Sequence, residues 1–235
     1  MKTNVFRWLA ITVAVLTAAA CNLEKDDFDP SIMTPSALVT VKTDQDNSRV
    51  WFQLDDKTVL YPVNMKKSPF GNKEVRALVN YRKPTDVEMQ EGGLFDEANN
   101  VYVNWLDSIL TKKSAPNLGK EENILKYGND PVEMINDWMT TVEDGYITLR
   151  FRTYWTNGIM HTVNLVTGSD PNDPYKVVFY HDAGGDFFGE AGDALVAFRL
   201  SDLPDTHGET VDLTLEWQSF SGRRTAKFKY CTRAE

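Results

Sequence analysis

Three histidines, His161, His181 and His207, are the whole supply of imidazole in this 235-residue chain. No two stand four residues apart, the spacing that sets a pair of imidazoles on one helical face for zinc, and no Cys-x-x-Cys occurs. His161 shares an alternating face with Ile159, Val163 and Leu165 and reads as a core or edge histidine. His181 closes a strand on the face of Val177 and Phe179, next to Asp182. His207 falls in the polar turn Asp205-Thr206-His207-Gly208. Nucleophile motifs are missing: there is no Gly-x-Ser-x-Gly and no Ser-x-x-Lys, the arrangements that present a hydroxyl at a strand-to-helix turn. Two carboxylates at the roughly 5–9 Å used in glycoside hydrolysis carry no sequence signature, and 34 acidic residues offer many chance pairs. The expectation is a chain without a catalytic residue.

One loop concentrates what remains. His181 to Asp193 carries Asp182, Asp186, Glu190 and Asp193, which could turn oxygens on calcium, with glycines allowing a tight backbone. The spacing is not that of an EF-hand, and a polar inter-strand loop is the plainer reading. Phe187 and Phe188 sit in the same loop, either as anchors for a partner or as a cap on the core. Trp51 and Trp155 fall opposite an apolar face or beside a turn and are candidates for stacking on a partner or a sugar. Trp105, Trp138 and Trp217 lie in apolar register and are expected in the core.

The amino-terminal residues concern address. Lys2 and Arg7 precede the apolar run Trp8 to Thr17, and Ala18-Ala19-Ala20 offers small residues for cleavage. The run is about half of what a membrane-spanning helix needs. Residues 1–20 therefore read as a signal peptide. Cys21, directly after it, resembles the lipidated cysteine of bacterial lipoproteins, with Ala18 where a bulkier residue is usual. Diacylglycerol and palmitate on Cys21 are the only non-protein groups expected, and each buried methylene of such chains contributes about 0.8 kcal/mol to anchorage. Residues 21–34 form an acidic tether, and Lys25-Asp26-Asp27 resembles the export signal that sends some lipoproteins to the outer face of the outer membrane. With Cys21 lipidated, Cys231 has no partner for an intrachain bridge and reads as a structural thiol. Removing Lys2 and Arg7 takes the formal charge from −9 to −11. A surface this acidic excludes nucleic acid, whose phosphates demand a basic footprint.

The elements that must position these residues are almost all strands. Period-two alternation marks Ala37 to Lys42, Val50 to Leu54, Thr58 to Val63, Val75 to Tyr81 and Val101 to Trp105, a set that suits a small closed barrel over 35–111. Residues 112–141 read as a helical junction. Asp107 to Lys113 and Glu121 to Tyr127 have weak helical character, and Asp130-Pro131-Val132-Glu133 has the form of a helix start, predicting a helix from Pro131 to Thr140. A second β region spans 142–235. Ile147 to Arg152 is expected to join Ile159 to Val166 through a hairpin at Asn157-Gly158. Further strands read at Tyr175–Asp182, Ala194–Leu200, Val211–Trp217 and Thr225–Tyr230, which together favour an antiparallel β-sandwich. The fold class is all-β.

The order of several segments resembles a known family. Val101-Tyr102-Val103-Asn104-Trp105-Leu106-Asp107-Ser108-Ile109-Leu110-Thr111-Lys112 is similar to the end of the N-terminal domain of NigD-like lipoproteins. Tyr146 to Phe151, His161 to Val166, Tyr180-His181-Asp182 and Val196 to Leu203 resemble the C-terminal domain, so that the match runs from about Pro35 to Tyr230. At Ala197-Phe198-Arg199-Leu200 the third position departs from the family's Ser-Phe-Asp-Leu, and Arg199 is expected to face solvent. The resemblance implies an OB-type barrel followed by a β-sandwich. Functionally it implies only a role in bacteriocin immunity, by association with a neighbouring gene, and it supplies no catalytic residue. The expected function is a surface-anchored, non-catalytic lipoprotein that binds an unknown protein or glycan partner, with a bacteriocin-immunity role as the family resemblance implies. The alternative is a glycan-binding accessory protein using Trp51 and Trp155.

Overall fold

Alternating apolar residues close the first β region into a barrel. The computed structural model describes residues 29–92, 98–156 and 158–233; Cys21, Lys25, Asp26, Asp27 and Asn157 lie outside them. Of the unit Met1–Ser31 only the last three residues are described, with Asp29 Oδ1 accepting the Ser31 amide at 2.9 Å. The rest of the chain forms a second unit. In it β1 (Ala37–Thr43), β2 (Val50–Gln53), β3 (Val59–Pro62), β5 (Asn100–Ser108) and β4 (Val75–Arg82) make the closed barrel in that order. β3 and β5 pair in parallel, and the other neighbours are antiparallel. Val39, Val41, Phe52, Ala77 and Val79 fill the interior with no exposed surface. β1 is buried on both faces, because Leu38 packs against the second domain and Thr40 lies under the Arg76 side chain. Between β4 and β5 lies α1 (Asp86–Gly92), started by a reciprocal capping box in which the Thr85 amide donates to Glu88 and the Glu88 amide to Thr85 Oγ1.

The junction is less helical than its sequence suggests. Leu110–Lys113 is a strand, β6, and only Lys120–Tyr127 forms a helix there, α2. Pro131 to Thr140 holds no helix. Its residues Glu133–Met134 form β7, which pairs with β9 (Tyr146–Trp155), and the Val132 amide donates to the Gln218 carbonyl. Local capping character yields here to the burial of Val132, fully enclosed in the sandwich core.

The sandwich faces a sheet ordered β6-β12-β9-β7 with one ordered β10-β11-β13-β14, where β10 is Thr162–Thr167, β11 Lys176–Asp182, β12 Glu190–Arg199, β13 Val211–Ser219 and β14 Gly222–Tyr230. β8 (Thr141–Glu143) pairs with β9 across the two-residue loop Asp144-Gly145. The expected antiparallel arrangement is in fact mixed, since β6 and β12, and likewise β11 and β13, run parallel. No hairpin forms at Gly158 either. β9 and β10 belong to different sheets, so the chain crosses from one layer to the other there. Ile147, Leu149 and Phe198 from one sheet and Leu165, Val177 and Leu213 from the other meet in the core.

Barrel and sandwich are fastened by charge as well as by packing. Leu38, Ile109, Tyr146 and Ala197 form a small apolar cluster between them. Arg76, with no exposed surface, reaches from β4 to Thr40, to Thr148 on β9 and to Glu143 on β8. Glu74 accepts hydrogen bonds from Tyr146, Arg199 and Arg233 at 2.6–2.8 Å. Arg199, expected in solvent, is half-buried in that group because Glu74 supplies its counter-charge.

Candidate functional site

The end of the sandwich away from the barrel carries a group of exposed apolar side chains. β9, β11 and β13 finish there, and β10, β12 and β14 begin there. Its three connections present Ile159 and Met160, Phe187 and Phe188, and Phe220, beside Tyr154 at the end of β9. Met160 and Phe188 are 83% and 79% exposed, values at which neither side chain adds to the core. Tyr154 and Phe220 meet edge to face at 5.5 Å. Large apolar side chains exposed on loops that a rigid sandwich holds mark interaction sites more often than they serve stability.

Directly beneath lies a polar chain shut off from water. His161 Nε2 lies 3.2 Å from Asp186 Oδ2, His161 Nδ1 lies 3.0 Å from His181 Nε2, and His181 Nδ1 lies 3.3 Å from the Asp130 carbonyl. The side chains of His161 and Asp186 are each 2% exposed, and His181 is 1% exposed. The Trp155 ring stacks on His161 at 4.2 Å, and Phe151 covers His181 at 6.0 Å. Burial, then the neighbouring His161, push the His181 pKa below its ordinary value. Burial works to raise the Asp186 pKa but is outweighed by hydrogen bonds from Thr156 and His161, so its carboxyl stays below the usual range.

These groups fasten the tip connections to the strands. The Thr156 amide donates to Asp186 at 2.7 Å, and the Asp186 amide closes a turn on the Ala183 carbonyl. Besides its carbonyl contact with the His181 ring, Asp130 grips the end of β11 through its amide, which donates to the His181 carbonyl, and its carboxylate, which accepts the Ala183 amide. Gly189, at φ 113°, passes so close that an added Cβ would lie 2.1 Å from the Trp155 carbonyl. Here only glycine fits.

Several sequence candidates are redistributed by this arrangement. Phe187 and Phe188 are exposed rather than capping the core. Trp155 packs against the core and donates to the Gly192 carbonyl, and Trp51 is a half-buried residue of the barrel, so the two make no common platform. Trp217 is core, Trp105 is half-buried, and Trp138, expected in the core, is 52% exposed because its segment is not helical. His207 is exposed in its turn, and Cys231 lies just past β14 near Thr206. The four carboxylates proposed for calcium do not converge. Asp182 bonds the Gly184 amide, Asp186 joins the histidines, Glu190 is exposed, and Asp193 is held by Arg152 and Arg150. No group of three or more His, Cys, Asp or Glu is placed for a metal among the described residues. The sequence reading missed Ile159 and Met160, which alternation placed on a strand, and Asp130, taken for a helix cap.

Concavities lie elsewhere. One of about 670 Å³ is lined by Arg199, His207, Tyr230 and Arg233, and another of about 330 Å³ by Lys42, Asp56, Asp144 and Arg233. The carboxylates of the second are already engaged, Asp144 by Lys42 and Arg233 and Asp56 by the Asp144 amide. A third, of about 850 Å³, lies on the barrel between α1 and Val101, with Asn100 in its lining.

Comparison with known proteins places this architecture. The model of the NigD-like N-terminal OB domain matches residues 38–109, and that of the NigD-like C-terminal beta sandwich domain matches residues 115–230. A crystal structure from Parabacteroides distasonis ATCC 8503, of a protein called toxin-related, is 35% identical with a TM-score of 0.69; the match covers 83% of this chain and 92% of that one. A protein of unknown function from Bacteroides vulgatus ATCC 8482 shares the fold at 20% identity and a TM-score of 0.65, over 84% and 90% of the two chains. A NigD-like immunity protein from Bacteroides caccae ATCC 43185 does so at 18% identity and a TM-score of 0.57, over 83% and 95%. No curated protein matches the chain. With both domain models matched in order and a solved relative this similar, the chain belongs to the NigD-like family.

Proposed function

We propose that the mature chain is a non-catalytic binding protein, anchored through lipid on Cys21 and displayed at the outer membrane by the Lys25-Asp26-Asp27 signal, which docks a protein partner on the distal tip of its sandwich. The observation that carries the reading is the tip itself: Ile159, Met160, Phe187, Phe188 and Phe220 exposed together on three connections of a rigid scaffold. Phe and Met are among the residues enriched at the cores of protein–protein interfaces. The absence of a nucleophile motif in the sequence and the engagement of the cleft carboxylates support a role without catalysis. A protection role against a bacteriocin is supported by family membership and by a solved neighbour called an immunity protein, which at 18% identity speaks for the fold. The glycan reading loses Trp155 to the interior.

The test is capture by cross-linking from intact cells, comparing the wild type with a Met160→Asp, Phe188→Asp double variant. We expect a partner recovered with the wild type and reduced at least tenfold with the variant. Equal recovery, or none with either, sinks the docking assignment.

A further inference from the structure

The exposed apolar side chains of the tip stand among carboxylates that no Lys or Arg neutralises. Asp130 comes from the segment after α2, Glu133 opens β7, Asp182 ends β11 and Glu190 opens β12, two residues after Phe188. Three of the four are pinned by backbone amides of the tip connections. Asp130 Oδ2 accepts the Ala183 amide and Asp182 Oδ1 the Gly184 amide, each at 2.8 Å. Glu133 Oε1 accepts the Phe220 amide at 3.2 Å and the Ser219 hydroxyl at 2.6 Å. Among the described residues, the second oxygen of each of these three has no partner, and Glu190 is exposed with none on either oxygen. The cations nearby are committed. Arg150 and Arg152 are held by Asp137 and Asp193, and Arg223 by Glu216. Arg224, which donates to Ser221 Oγ, is left without a carboxylate among the described residues of this end. Four carboxylates therefore face one uncommitted guanidinium there.

We propose that the tip selects a cationic amphipathic peptide: a segment of the partner whose large apolar side chains pack on Met160, Phe188 and Phe220 while its Lys or Arg heads meet the carboxylates around them. This rests on the docking reading above and names the chemistry of the partner. Apolar contact alone accepts any apolar surface, whereas the carboxylates discriminate. A partner carrying negative charge is repelled by them, and a neutral apolar one leaves their remaining oxygens buried and unpaired. Lys and Arg fit because their stems lie along apolar side chains while their heads reach a carboxylate. The carboxylates held by backbone amides are already ordered, so pairing with them costs little further entropy. The acidic balance of the whole chain, −9 as a formal charge, also steers a cationic segment toward it.

The probes are two labelled helical peptides with the same leucine stripe, one carrying lysine and the other glutamate at its polar positions. Each is titrated into the mature chain and followed by fluorescence anisotropy. We expect the lysine peptide to bind at least tenfold more tightly than the glutamate peptide, and to weaken as salt is raised. Asp182→Asn with Glu190→Gln should weaken it at least fivefold. Glu121→Gln with Glu122→Gln, a pair exposed on α2, should leave it within twofold. Met160→Asp with Phe188→Asp adds two negative charges, so attraction by charge alone predicts tighter binding, while docking on the tip predicts a tenfold loss. A lysine peptide that binds no better than the glutamate peptide, equal effects of the tip and α2 pairs, or tighter binding by the Met160, Phe188 variant overturns the proposal. So does flotation of the lipid-free chain with phosphatidylcholine vesicles that this variant abolishes, which would assign the tip to a bilayer. Equal binding of both peptides, lost together in that variant, removes the charge selection and leaves docking standing. Docking itself stands or falls by the capture experiment.

Discussion

Single side chains in this protein are read best by asking what each polar atom is bonded to. Asn100 is 5% exposed, yet neither atom of its amide has a hydrogen-bond partner among the described residues. Leaving a buried polar group unpaired costs about 1–3 kcal/mol per group, and an apolar side chain of similar shape avoids the cost. Asn100→Leu should therefore raise stability by about 1–2 kcal/mol in urea unfolding, and a loss of stability would show that the amide is satisfied. The same question explains which single-residue readings held. Phe187 and Phe188 were open between partner anchor and core cap, and their exposure removes the cap. Arg199 was misread because its partner Glu74 lies 125 positions away, on the barrel. His161 was visible as a core or edge histidine of its strand, and His181 as the end of another. Their pairing was not, because it depends on β10 and β11 being neighbours in register, with Val163 opposite His181.

At the level of elements, alternation located most strands, whereas turn chemistry misled as often as it helped. Asn157-Gly158 has the residue types of a hairpin turn, yet the strands on either side go to different sheets. The two-residue hairpin forms instead at Asp144-Gly145, where both residues take positive φ, 49° and 74°, and join β8 to β9. Both dipeptides suit the same turn, and only the pairing of the flanking strands decides between them. The capping box at Thr85 and Glu88 went unread because it stands in a segment without apolar periodicity. Conversely, the helix-start pattern at Asp130 was overridden when Val132 became core and Asp130 was drawn to the end of β11. Since Gly145 must adopt a left-handed conformation, Gly145→Ala should cost about 1–2 kcal/mol. Thermal unfolding measures it, and an unchanged midpoint would show that the turn tolerates a side chain.

For the whole molecule, the decisive feature is that barrel and sandwich share a buried charge. Burial pushes the Arg76 pKa down and Glu143 only partly restores it, so the guanidinium depends on that carboxylate. Breaking a buried pair by removing one partner costs about 3–5 kcal/mol, while replacing both by apolar residues is much cheaper. Glu143→Leu should fall in that range, moderated because Glu143 is partly exposed, and Arg76→Met with Glu143→Leu should recover at least half of the loss. Urea titrations of the two single variants and the double variant measure the coupling. Additive losses would show that the pair does not hold the domains together.

The single residue Ile109 separates β5 of the barrel from β6, and β6 lies beside Val196–Arg199 of β12, where Val196, Ala197 and Phe198 are buried. The two family matches leave residues 110–114 unassigned, but those residues include the strand that closes this side of the sheet. A sandwich released by cleavage after Lys113 would lose it and bare the backbone N–H and C=O groups of β12 next to core side chains. Such an open edge recruits another strand of the same kind. Proteolysis at this boundary would thus turn the sandwich into a self-associating fragment.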